Sequence, residues 1–170
     1  MSSDQSQFSD GYNPPNQFQP RPGLESKLGP SPAIEYLPTA DGQYQKYKAA
    51  GKLEGRKALI TGGDSGIGRA TAVLYALEGA DVYISYLAVE EEDAHETKKL
   101  VEQHGGKCFI QATDLRKKEN CFELVNKAVE ALGGLNILVL NHATQLVRDG
   151  DLTNLPDDRW LDTFNTNIHP

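Results

Sequence analysis

The sequence is short of cysteine, of positive charge and of long apolar runs, and each shortage excludes something. Its two cysteines, Cys108 and Cys121, make neither a disulfide framework nor the paired spacing of a metal site, so no metal is expected. Lys and Arg number 17 against 24 Asp and Glu, a formal net charge of −7. That balance argues against nucleic acid, whose phosphates require a basic surface. Apolar runs such as Ile137 to Leu140 are far shorter than the roughly 20 residues of a spanning helix. No membrane segment is expected. The first residues, Met1 to Phe8, lack a basic n-region and an apolar h-region. Asp4 and Asp10 precede the first arginine, Arg21. Neither a secretory signal nor a mitochondrial presequence is read there, and the cytoplasm is the expected compartment.

Proline is scarce beyond the start. Seven of the nine prolines fall in the first 38 residues. There Pro14-Pro15, Pro20, Pro22, Pro30 and Pro32 forbid helix and lack ladder donors. Residues 1–51 therefore read as an irregular arm and 52–170 as the folded part. The arm reads as a flexible tail. The alternative is a strand of chain lying along the folded part or a neighbouring subunit, with Phe8, Tyr12, Phe18, Tyr36, Tyr44 and Tyr47 as anchors.

From Lys57 the pattern alternates. The apolar run Lys57–Thr61 predicts a buried strand. Ile67, Ala70, Val73, Leu74 and Leu77 recur at helical spacing, and Gly79 follows as a helix stop. Strands are predicted again at 82–87, 108–111 and 135–140. Helices are predicted at 90–104, 118–132 and from Asp158 onward, the last with Trp160, Leu161 and Phe164 as its apolar face. Strands alternating with helices imply right-handed crossovers and a parallel sheet covered on both faces. The fold class is thus α/β, a Rossmann-like doubly wound sheet of about four strands.

Between the first strand and first helix stands Thr61-Gly62-Gly63-Asp64-Ser65-Gly66-Ile67-Gly68. In that setting Gly62 allows the tight turn, Gly66 lets backbone approach a pyrophosphate, and Gly68 lets the helix pack closely. The first-turn N–H groups would face the phosphates. A nucleotide P-loop is disfavoured, because no Gly-Lys-Ser/Thr follows.

The spacing Thr-Gly-x-x-x-Gly-x-Gly resembles that of the short-chain dehydrogenase/reductase family, over about residues 52–170. The Pro-rich arm is similar to that of one branch, which includes glucose/ribitol-type dehydrogenases and NADP-dependent aldehyde reductases. The resemblance implies cofactor contacts at Gly62, Asp64, Ser65, Gly66, Ile67 and Gly68. It places Tyr86 where a ribose-binding Asp would mark an NAD enzyme, which favours NADP(H) over NAD(H). The acids from Glu90 onward read as a solvated first helical turn. Asp114 and Leu115 match the pair that receives the adenine. Asn141 and Ala143 match the segment after the fourth strand, with His142 as a wall residue beside the cofactor. Asn167 matches a helical Asn that supports proton relay to the active-site lysine.

The family's catalytic Ser, Tyr and Lys all follow the fourth strand. Here the last Ser is Ser85, the last Tyr is Tyr86 and the last Lys is Lys127. Tyr44 and Lys48 have the Tyr-x-x-x-Lys spacing, but they precede the first strand. With the last helix running to Pro170, the sequence reads as interrupted. The expectation is a cofactor-binding part without turnover of its own. A small alcohol, aldehyde or sugar substrate would be bound only in a complete version, within a family that is usually homo-oligomeric. The other reading is a non-catalytic nucleotide-binding or interaction module.

Overall fold

A computed structural model describes residues 8, 11–19, 22–41, 43–144 and 156–169. The predicted alternation is present. Strands β3 (Lys57–Thr61), β4 (Asp81–Tyr86), β5 (Cys108–Ala112) and β6 (Ile137–Leu140) form one sheet in the order β5-β4-β3-β6. All its pairings are parallel, with Thr61 level with Ser85 on one side and Leu140 on the other. Counted from β3, this is the 3-2-1-4 order of a doubly wound sheet.

Helices α1 (Gly66–Leu77), α2 (Glu91–Gln103) and α3 (Lys118–Leu132) make the crossovers. Successive strand residues face opposite ways. Ala58 and Ile60 therefore join Val82, Ile84, Ala72, Val73, Ala94 and Val101 under α1 and α2. Leu59 and Tyr83 join Leu124, Ala128 and Leu132 under α3. Each fully buried aliphatic side chain contributes about 1.5–3 kcal/mol by leaving water. Gly133 in the left-handed region (φ +70°) closes α3. The last helix, α4 (Asp157–Asn167), stacks Trp160 on Phe164 with centroids 4.2 Å apart. Its apolar stripe stays half exposed, with Trp160 at 50% and Leu161 at 51%.

The arm does not behave as a free tail where it is described. A 3-10 turn at Glu25–Lys27 and a hairpin of β1 (Tyr36–Pro38) and β2 (Tyr44–Lys46) lie on the domain. Of the six aromatics read as anchors, Tyr47 fastens the arm through its hydroxyl, while Phe18 and Tyr36 are exposed; other polar groups fasten it as well. Glu35 meets His104 at 2.6 Å and Lys46 at 3.0 Å. Glu78, at the end of α1, accepts Tyr47 O–H, Ala50 N–H and Lys52 N–H. Among the described residues no helix is long and apolar enough to cross a membrane, and no group of three or more His, Cys, Asp or Glu could hold a metal. Both cysteines are free, and burial pushes the Cys108 thiol up to about 12.

Candidate functional site

A parallel sheet with helices on both faces opens a crevice where neighbouring crossovers leave in opposite directions. That switch point lies between β3 and β6. A cleft of about 650 Å³ opens there, at the strands' carboxyl ends. Its walls include Gly62, Asp64 and Ser65 from the glycine-rich turn, Tyr86 from β4, Leu115 after β5, and Asn141 and Ala143 after β6. Seven of the predicted cofactor residues thus converge on one space.

The floor is a small hydrogen-bonded knot. Thr61 Oγ1 accepts N–H from Asn141 (3.1 Å) and His142 (3.3 Å). Asn141 Nδ2 donates to the Gly62 carbonyl at 2.7 Å, joining β6 to the turn. His142 Nε2 lies 2.9 Å from the Thr166 carbonyl, and Nδ1 lies 2.7 Å from Thr61 Oγ1. A carbonyl only accepts, so Nε2 carries the proton and Nδ1 takes the Thr61 hydroxyl. Burial lowers the His142 pKa, favouring this neutral ring. His142 therefore ties α4 to β3 as a wall residue. Asn167 accepts Thr144 N–H at 2.8 Å and donates to Thr144 O at 2.9 Å. Thr144 lines the cleft, so Asn167 stands one layer behind it.

Three of the residues singled out from the sequence meet protein partners or burial of their own. Gly66 N–H donates to the Glu25 carboxylate of the arm. Gly66, Ile67 and Gly68 are not among the residues lining the cleft. Arg116 holds the Asp114 carboxylate with Nε at 3.0 Å and Nη2 at 2.7 Å, and the Asp114 pKa is lowered by that bond. Thr113 and Arg116 face the cleft. Glu90 is not a solvated turn acid. It lines the cleft with Asp64 and Tyr86, and burial, then the charge of Asp64, pushes its carboxyl up to about 7.

One feature fits a dinucleotide. The Thr113 hydroxyl is buried with no partner, at the cleft wall, where a ligand's polar group would satisfy it. The sequence reading missed Pro22 and Gly23, arm residues on the cleft wall, and Arg69, buried behind the turn. The turn-forming pair Pro22-Gly23 inside a Pro-rich arm was the available signal.

Fold and cleft together define a Rossmann-type α/β protein with its ligand crevice at the switch point. The chain belongs to the short chain dehydrogenase family, whose model matches residues 56–170. It is 49% identical over 156 residues to general stress protein 39 of Bacillus subtilis, covering 91% of this chain and 51% of that protein. It is 34% identical to glucose and ribitol dehydrogenase of Daucus carota, covering 94% and 54%. A short chain dehydrogenase from Burkholderia cenocepacia in complex with NADP superposes with TM-score 0.63 at 35% identity, over 69% of this chain and 47% of that one. Carveol dehydrogenase from Mycobacterium avium in complex with NAD gives 0.63 at 31%, over 68% and 45%. The chain spans about half the length of the curated relatives it matches.

Proposed function

We propose that residues 52–170 are the cofactor-binding part of an NAD(P)(H)-dependent oxidoreductase acting on a CH–OH or carbonyl carbon, in the cytoplasm, and that residues 1–51 are an arm upon it. The observation that carries this is the convergence of Gly62, Ser65, Tyr86, Leu115 and Asn141 on one cleft at the sheet's switch point. The bound nicotinamide would supply hydride chemistry. Gly62, Asp64 and Ser65 would hold the diphosphate side, and Tyr86 and Glu90 the ribose side, with Leu115 and Thr113 beside the adenine. Asn141 and Ala143 would border the ring.

NADP(H) is the favoured cofactor, because β4 ends in Tyr86 rather than a carboxylate. The Glu90 carboxyl, up to about 7, is largely protonated in mildly acid solution and then repels a 2′-phosphate little. The same residue supports a second reading, NAD(H), since a charged Glu90 beside Asp64 would favour a free 2′-hydroxyl. Titration of the 170-residue polypeptide with NADPH and with NADH at pH 6.5 separates them. Tighter NADPH binding is expected; tighter NADH binding reverses the preference, and binding of neither removes the cofactor reading. The same polypeptide is expected to leave absorbance at 340 nm unchanged with alcohols or aldehydes, since no Ser or Tyr follows Tyr86.

A further inference from the structure

We propose that the arm turn Pro22–Glu25 is a component of the cofactor site, with Glu25 the positioning residue that fixes the glycine-rich turn from behind. This rests on the reading of the cleft as a dinucleotide site.

The first N–H groups of a helix have no partner within it. In α1, Ser65 at the N-cap makes no side-chain cap. The cap comes from Glu25 of the arm, whose Oε2 accepts Gly66 N–H. A carboxylate there also complements the positive end of the helix. Its other oxygen, Oε1, lies 2.5 Å from Arg69 Nη1.

Arg69 carries the contact into the turn. Its Nε donates to the Asp64 carbonyl and to Thr97 Oγ1, both at 2.9 Å. Its Nη2 reaches the Asp93 carbonyl at 3.0 Å and Asp93 Oδ1 at 3.1 Å. The loop closes where Asp93 Oδ2 accepts Glu25 N–H at 2.7 Å. Glu25 is 8% exposed, Arg69 5% and Asp93 1%. Removing one partner from a buried charged network leaves the others uncompensated. The turn would then lose its cap at Gly66 and the Glu25 brace on Arg69, which together with the Thr97 hydroxyl (2.7 Å) holds the Asp64 carbonyl.

The side on which this happens decides its meaning. Asp64 and Ser65 line the cleft, and so do Pro22 and Gly23, just before Glu25. Glu25 and Gly66 do not. The carboxylate therefore braces the back of the turn and does not occupy the place of a phosphate, while the arm itself forms part of the cleft wall.

The test compares the wild-type chain with Glu25→Gln, Glu25→Ala and Glu78→Gln. Dinucleotide affinity is measured by calorimetry, using whichever of NADPH or NADH binds the wild type. Hydrogen exchange of the Gly66 amide and thermal melting are followed in parallel. Glu78→Gln loosens the arm at its other fastening, away from the cleft. Affinity is expected to fall by about tenfold or more in both Glu25 variants, with faster exchange at Gly66. It is expected to stay within about threefold in Glu78→Gln. Should Glu25→Ala fail to melt cooperatively, Glu25→Gln, which keeps the volume, decides alone. Unchanged affinity in Glu25→Gln despite faster Gly66 exchange would overturn the proposal. So would tighter binding, the mark of a competing carboxylate, or an equal loss in Glu78→Gln. A wild type that binds neither dinucleotide overturns the cofactor reading as well, a result distinct from the others.

Discussion

Gly68 has no room for a side chain: a Cβ there would lie 1.9 Å from the Gly62 carbonyl oxygen and 2.6 Å from Asn141 Nδ2. The Gly68→Ala variant is therefore expected to lose about 1–3 kcal/mol of stability through overpacking and to bind dinucleotide poorly. Denaturant melts and the same titration check both; a wild-type melt would show that the turn can yield. Glu90 gives a pH signature. Its folded-state carboxyl titrates at about 7, above the ordinary 4.5. Between those values the folded state holds a proton that the unfolded state releases, so this group's contribution to stability is lost as pH rises through 7. Glu90→Gln should melt higher than wild type at pH 8, with the gap closing toward pH 5. A gap that widens on acidification would contradict the assignment. The glycine turn was legible in the sequence because its geometry is local. Glu25 was not, since its partners Gly66, Arg69 and Asp93 lie 41 to 68 residues away. The Asp114 partner, by contrast, is local: Arg116, two residues on, holds its carboxylate.

Among the elements, α1 is held by the arm at both ends, by Glu25 at its start and through Glu78 at its finish. The Glu78 carboxyl is lowered by the Tyr47 hydroxyl first and the Lys52 N–H next. A depressed carboxyl stabilises the fold above its unfolded value and ceases to as pH falls through its folded value. Glu78→Gln is thus expected to melt below wild type at pH 7, with the deficit shrinking under pH 4. An undiminished deficit would point to lost packing instead. The four sheet strands and their crossover helices were legible from period and glycine stops, with ends shifted by one or two residues, whereas the last helix, expected to run to Pro170, ends at Asn167. The hairpin β1–β2 was not, because all six of its residues are exposed and none carries a buried stripe.

At the scale of the whole molecule, β6 pairs on one side only among the described residues, with β3. Leu138 is 51% exposed and Leu140 69%. An apolar strand with an unpaired edge invites association. The 170-residue polypeptide is expected to sediment faster with rising concentration, and Leu138→Lys to restore monomer. A concentration-independent monomer of the wild type would refute this.

The arm's anchorage also has a consequence for the order of assembly during synthesis. The arm is made before the domain it rests on, and Glu25 meets its last partner, Asp93, 68 residues later. Until α2 has emerged the Glu25–Arg69–Asp93 network cannot close, and such distant contacts form late. Its prolines suit that wait: seven of them within 38 residues disfavour α-helix, so this segment docks after the domain it rests on.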